Sequence, residues 1–182
     1  MKIRKAEFKV LKDKPIAEQE QLQIFSLAPT SEDGKSGEVI MKIKRLLDPK
    51  EKEVTIQNDE KRKGQKVKVT DYKAIVEVLE GKLASVKEKE KVKVPGVGVV
   101  EVPKILDAID EEIILDLQRQ SNYEFLKEKL DNGIIELDKP YAFEYAVKLS
   151  NSRYSYYIRA IYAVEVEGEE EGENNGNSNT NQ

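Results

Sequence analysis

The side chains that carry most biological chemistry are missing from this chain. Its 182 residues include no Cys, no His and no Trp. Without Cys there is no thiolate, no disulfide framework and no sulfur-ligated metal site. Without His the commonest general base and metal ligand is gone. Carboxylates, lysines, arginines and eight tyrosines remain. One acidic cluster is Asp107, Asp110, Glu111 and Glu112. On a helix, Asp107, Asp110 and Glu111 share a face and could hold a hard cation. Acids in the first turns of a helix are equally favoured by its dipole with no ion present. A Mg²⁺ or Ca²⁺ site also draws oxygen ligands from several segments. No metal and no cofactor is assigned. Gly34-Lys35-Ser36 ends like a phosphate-binding loop, but that motif needs a glycine where Pro29 stands, and a helix where a strand pattern follows. The chain reads as a non-enzyme, and a carboxylate-based enzyme is the weakest alternative.

Binding chemistry is better represented. Three segments alternate lysine with an apolar residue: "MKIK" (41–44), "KVKV" (66–69) and "KVKV" (91–94). Side chains alternate across a strand, so Lys42 and Lys44, Lys66 and Lys68, and Lys91 and Lys93 each share a face. Side by side in one sheet they would form a basic stripe that tracks phosphates. The plainer reading, which the neighbouring Glu38, Glu88 and Glu90 favour, is a solvated face whose lysines guard edge strands against aggregation.

The segment "SNSRYSYYIRAIYAVEV" (150–166) interleaves tyrosines with Arg153 and Arg159. As a strand it places Tyr154, Tyr156, Ile158, Ala160 and Tyr162 on one face, and Arg153, Tyr157 and Arg159 on the other. The preceding strand, 141–149, divides the same way, with Lys148 on the polar side. A tight turn at Asn151-Ser152 would pair Leu149 with Tyr154, Val147 with Tyr156, Tyr145 with Ile158, Phe143 with Ala160 and Tyr141 with Tyr162. That register gathers the apolar-face aromatics on one side as core. The other side pairs Ala146 with Tyr157 and Glu144 with Arg159. Lys148, Arg153, Tyr157 and Arg159 are left as an outward face. A nucleic-acid-binding protein tolerant of single strands would use the lysine strands for phosphates and Tyr157 with Arg159 for stacking.

The elements that must position these residues read mainly as strands: 3–11, 22–28, 38–47, 53–57, 65–70, 141–149 and 153–166. A hairpin is predicted across "EKVKVPGVGVVEV", turning at Pro95-Gly96, which suits a type II turn. A helix over 71–84 is expected from a cap at Thr70 or Asp71, with Tyr72, Ile75, Val76, Leu79 and Leu83 at helical spacing. A longer helix is expected from Pro103, with Leu106, Ile109, Ile113 and Leu117 as its stripe. It breaks at the capping-box pattern "SNYE" (121–124) and ends at Asn132-Gly133. The expected fold is α+β: an antiparallel sheet, open to strong curvature, packed against a broken long helix and one shorter helix. It forms one domain over 1–166, with a division into a β-rich 1–70 and an αβ 71–166 as the variant. Residues 167–182 are acidic and Asn-rich with no apolar residue, and are expected to be disordered.

The formal net charge of −4 hides an asymmetry: residues 1–105 sum to +6 and residues 106–182 to −10. Six of the acids lie between Glu165 and Glu173. Dense Lys and Glu resemble the composition of proteins from hot environments. No segment approaches the ~20 apolar residues that cross a bilayer, and the N-terminus lacks the apolar core of a secretory signal. A cytoplasmic location with no membrane partner is expected. The function expected from all this is a non-catalytic interaction or assembly protein. It would meet protein partners, or its own copies, through its sheet surface and acidic tail. Nucleic-acid binding is the alternative.

Overall fold

The computed structural model describes residues 22–57, 59–108 and 111–164. The predicted strand at 3–11 and the acidic tail at 167–182 lie outside the described residues. The strands in chain order are β1 (Ile24–Leu27), β2 (Ser36–Leu46), β3 (Lys50–Thr55), β4 (Lys66–Asp71), β5 (Lys73–Glu80), β6 (Lys82–Val94), β7 (Gly98–Asp107) and β8 (Glu112–Asp116). The helix α1 (Gln120–Asp131) follows, and β9 (Pro140–Ser150) and β10 (Arg153–Ala163) close the chain. Eight strands form one sheet in the order β10-β9-β2-β5-β8-β1-β6-β7. The β1–β8 pair is parallel and the other pairs are antiparallel. The sheet curls until β10, at one edge, touches β1 and β7 from the other side.

The expected α+β fold is therefore wrong. Of the described residues 61% are in strands and 9% in helix, the sheet is mixed, and one helix is present among them. The helix expected at 71–84 is β5 and the start of β6; the first half of the longer one is β7 and β8. The cause is burial on both faces. In β5, Ala74, Val76 and Val78 enter the main core while Ile75 joins a second cluster on the opposite face. In β8, Ile113 and Leu115 enter the core while Ile114 joins Ile75 and Leu22. A strand buried on both faces loses its period of two and reads as a continuous apolar run. Such a run fits a helical stripe by accident, and its β-branched content was the signal that arbitrates.

Only the second half of the long helix exists. α1 begins at Arg119 with no side-chain cap, so the "SNYE" box is not used. Its end is as expected. Gly133, at φ +74°, follows the cap residue Asn132, and its N–H bonds the Leu130 carbonyl while that of Ile134 bonds the Lys129 carbonyl. This pair of bonds is the Schellman arrangement, which supplies partners for the last carbonyls of a helix.

Two ribbons extend beyond the sheet. β3 and β4 pair only with each other and continue the β2–β5 hairpin. The outer part of β6–β7, from Lys89 paired with Pro103 to Val94 paired with Gly98, has no third strand beside it. β6 runs antiparallel to β2, so the ribbons leave opposite ends of the sheet. The β6–β7 tip turns at Pro95-Gly96, with Gly96 at φ +80° and the Val97 N–H bonded to the Val94 carbonyl. Pro103 sits in an edge strand, where its missing N–H costs no ladder bond. No helix among the described residues is long and apolar enough to cross a membrane.

Candidate functional site

β10 is an edge strand, and an edge strand exposes unpaired N–H and C=O groups. Here two side-chain amides close it. Gln118 accepts from the Tyr156 N–H at 3.0 Å and donates to the Tyr154 carbonyl at 2.8 Å. Asn122, buried at the start of α1, accepts from the Ile158 N–H at 2.9 Å and donates to the carbonyls of Tyr156 (3.0 Å) and Leu117 (2.8 Å). The segment 118–122 thus lies along the open side of β10 and carries Arg119 with it.

The register between β9 and β10 is as predicted for its first half: Leu149–Tyr154, Val147–Tyr156, Ala146–Tyr157 and Tyr145–Ile158. A bulge then intervenes. Ile158 pairs with Tyr145 but Ala160 pairs with Glu144, leaving Arg159 as the extra residue. A one-residue shift exchanges the two faces. From there on Ile161 faces inward opposite Phe143, and Tyr162 faces outward opposite Ala142. The predicted pairs Phe143–Ala160, Tyr141–Tyr162 and Glu144–Arg159 do not form. Tyr162, expected in the core, is 50% exposed, matching Tyr157 at 49%.

The outer face of β10 therefore presents two tyrosines over a floor of Ala146, Ala142 and Ala160. Their partners on β9 are four residues apart, which spaces the rings by about 14 Å along the strand. The Arg119 guanidinium lies 4.0 Å from the centroid of the Tyr157 ring, and its Nη1 donates to the Tyr157 hydroxyl at 2.8 Å. Arg119 Nε is buried and has no hydrogen-bond partner among the described residues. Arg119 escaped sequence reading because its ring partner is 38 residues away. Glu144 lies on β9 between the two rings and faces Glu38 on β2. The Tyr162 hydroxyl is 3.4 Å from Glu144.

The predicted lysine stripe is dispersed. β2, with Lys42 and Lys44, is separated from β6, with Lys91 and Lys93, by β5, β8 and β1; Lys66 and Lys68 lie on the β3–β4 ribbon. Lys148 lies on β9 and Arg153 at the start of β10. The face that includes Tyr157 gathers Lys42, Lys148 and Arg159. Lys42, Lys66, Lys68, Lys91, Lys93, Lys148, Arg153 and Arg159 form no hydrogen bond or ion pair through their side chains among the described residues. Lys44 differs. It bonds Asp138 and lies 3.9 Å from both Glu77 and Glu112. Burial opposes its charge, but the Asp138 hydrogen bond and the three carboxylates outweigh that and raise its pKa.

The acidic group expected on a helix is broken up. Asp107 ends β7 and bonds Lys82 at 2.7 Å, Glu111 and Glu112 are buried just before and at the start of β8, and Asp110 lies outside the described residues. No group of three His, Cys, Asp or Glu residues that could hold a metal ion occurs among the described residues. Asp116 is a half-buried carboxylate. Burial raises its pKa, with Asp71 adding to the effect, against the Gln118 N–H and the charges of Lys73 and Arg153. It lines a cavity of about 40 Å³ with Ser26, Ser85, Lys89, Arg153 and Tyr154. That volume admits only a few water molecules. No family model matches the chain, and neither curated proteins nor solved structures compared with it give a match.

Proposed function

We propose that the chain is a non-catalytic interaction or assembly protein whose principal contact is the projecting β6–β7 ribbon. What supports this reading is the amphipathic character of that ribbon. Paired residues share a face, so Val92 with Val100, Val94 with Gly98, and Glu90 with Val102 form one side; Lys89, Lys91 and Lys93 lie on the other with Val99, Glu101 and Pro103. On the valine side Val92 is 39% exposed and Val94, Val100 and Val102 are half-buried, so full burial of that side calls for a partner. The β3–β4 ribbon is different, because Glu53 lies directly opposite Lys68. Protein partners, or further copies of the chain, would cover the valine side, and a cytoplasmic setting goes with the proposal. Size-exclusion chromatography with light scattering, joined to a pull-down from native lysate, tests it. The expected result is assembly or specific retention that Val92→Thr with Val100→Thr abolishes. A strictly monomeric protein that retains nothing overturns it.

A second reading, nucleic-acid binding, is supported by the eight cations that form no ion pair among the described residues, three of which, Lys42, Lys148 and Arg159, share the face of Tyr157. Salt-dependent retention of labelled oligonucleotides, stronger after removal of residues 167–182, is the expected result. No retention at low salt, with or without those residues, refutes it.

A further inference from the structure

We infer that the outer face of β10 is a stacking platform for single-stranded nucleic acid, with Tyr157 and Tyr162 as its rings and Arg119 as a phosphate contact. The inference rests on the nucleic-acid reading and makes it specific, adding two residues that the sequence pattern did not assign.

Three observations carry it. The bulge at Arg159 turns Tyr162 outward, so the strand offers two half-exposed rings where the alternation alone offered one. The rings stand about 14 Å apart along the strand, beside small alanines; Arg119 covers one face of Tyr157 and leaves the ring half-exposed. A duplex buries its base faces, whereas an extended single strand can splay bases onto separated rings. The Arg119 guanidinium is held against Tyr157 by the ring and the hydroxyl, and it forms no ion pair with a carboxylate among the described residues. A guanidinium fixed in this way is preorganised for a phosphate oxygen.

Charge also sets the path of the strand. Glu144 and Glu38 lie side by side on β9 and β2 and repel phosphates beside the two rings, with Lys148 and Lys42 farther along those strands. Arg119 lies on the opposite side, along the open edge of β10. Arg153 and Arg159 belong to β10 itself and form no ion pair among the described residues. The sugar-phosphate backbone therefore runs along the open side of β10, with bases turned in toward Tyr157 and Tyr162.

The test is fluorescence anisotropy of the full chain with a labelled oligothymidylate of about 20 nucleotides, longer than most single-fold sites, and with a duplex of equal length, over a range of salt. Each variant's unfolding midpoint is compared with the parent's. Single strand is expected to bind more tightly than duplex. Tyr157→Ala and Tyr162→Ala should each weaken it by roughly tenfold. Arg119→Ala should weaken it and reduce the slope of log affinity against log salt by about 0.7, as expected for one lost phosphate contact. Glu144→Gln should tighten binding. If oligothymidylate binds but these variants bind as the parent does, while Lys91→Ala with Lys93→Ala releases it, the platform is overturned and the nucleic-acid reading survives. Preference for duplex also overturns the platform. No binding at low salt, by the full chain or by residues 1–166, ends both.

Discussion

Asn122 gives the sharpest test of how this fold closes its edge. Its side chain is buried and satisfies three backbone groups at once: the Ile158 N–H and the Tyr156 and Leu117 carbonyls. In Asn122→Ala all three lose that partner inside the protein. The Leu117 carbonyl keeps the Arg119 N–H at 2.8 Å, so two groups are orphaned, and each such orphan costs about 1–3 kcal/mol. Water entering the vacated space recovers part of this, so the net loss is expected near 3 kcal/mol. For a chain of this size that lowers Tm by about 6–12 °C. Equilibrium urea denaturation followed by far-UV circular dichroism gives the free energy, and hydrogen exchange of the Ile158 amide reports the edge itself. Asn122→Asp keeps the shape and the bond from Ile158 but loses both donations. Its carboxyl, buried against two carbonyls, should have a raised pKa. Stability would then be greatest below the unfolded-state value near 3.9 and fall as pH rises through the folded-state value. A loss below about 1 kcal/mol for Asn122→Ala, no more than one ordinary hydrogen bond, would refute the reasoning, as would parent-like protection at Ile158.

Three further outcomes follow from the same contacts. Gly37→Ala would place a methyl 2.5 Å from the ring and hydroxyl of Tyr145, a buried side chain bonded to the Ala28 carbonyl at 2.6 Å. Overpacking there should cost about 1–3 kcal/mol in urea denaturation. Burial raises the Asp116 pKa above 3.8, so the folded state holds its proton more tightly than the unfolded chain. The parent should therefore lose stability relative to Asp116→Asn as pH rises through that window, read as the difference in urea midpoints from about pH 3 to about pH 6; a constant difference would sink this. Lys44→Ala leaves Glu77, Glu112 and Asp138 without the cation they surround. Stability should fall by about 1–2 kcal/mol, less than for a fully buried pair, and added salt should recover part of it.

Features written in a few consecutive residues were legible. The alternation of Val39, Met41 and Ile43 marks β2, buried on one side. Pro95-Gly96 and Asn132-Gly133 mark a turn and a helix end whose φ values suit glycine. Asn151-Ser152 forms the two-residue connection between β9 and β10, both at positive φ, which is what a hairpin turn of primed type requires. The candidate residues Tyr157 and Arg159 were legible for the same reason: period two sends them away from Tyr156 and Ile158. Arg119 and Tyr162 were not. One depends on a chain crossing 38 residues away, the other on a single extra residue in the ladder.

The sequence by itself determined which chemistry is closed to this chain, through the absence of Cys and His, and where most strands and turns fall. It determined these because turn chemistry and one-sided burial leave a local pattern. Only the tertiary structure decided that β5 and β8 are strands, that the lysine strands stand apart, and that Lys44 is surrounded by three carboxylates. Those outcomes depend on which segments meet from far along the chain. Burial on both faces erases the periodicity that would have announced a strand, and strand order leaves no mark on the residues of either neighbour alone.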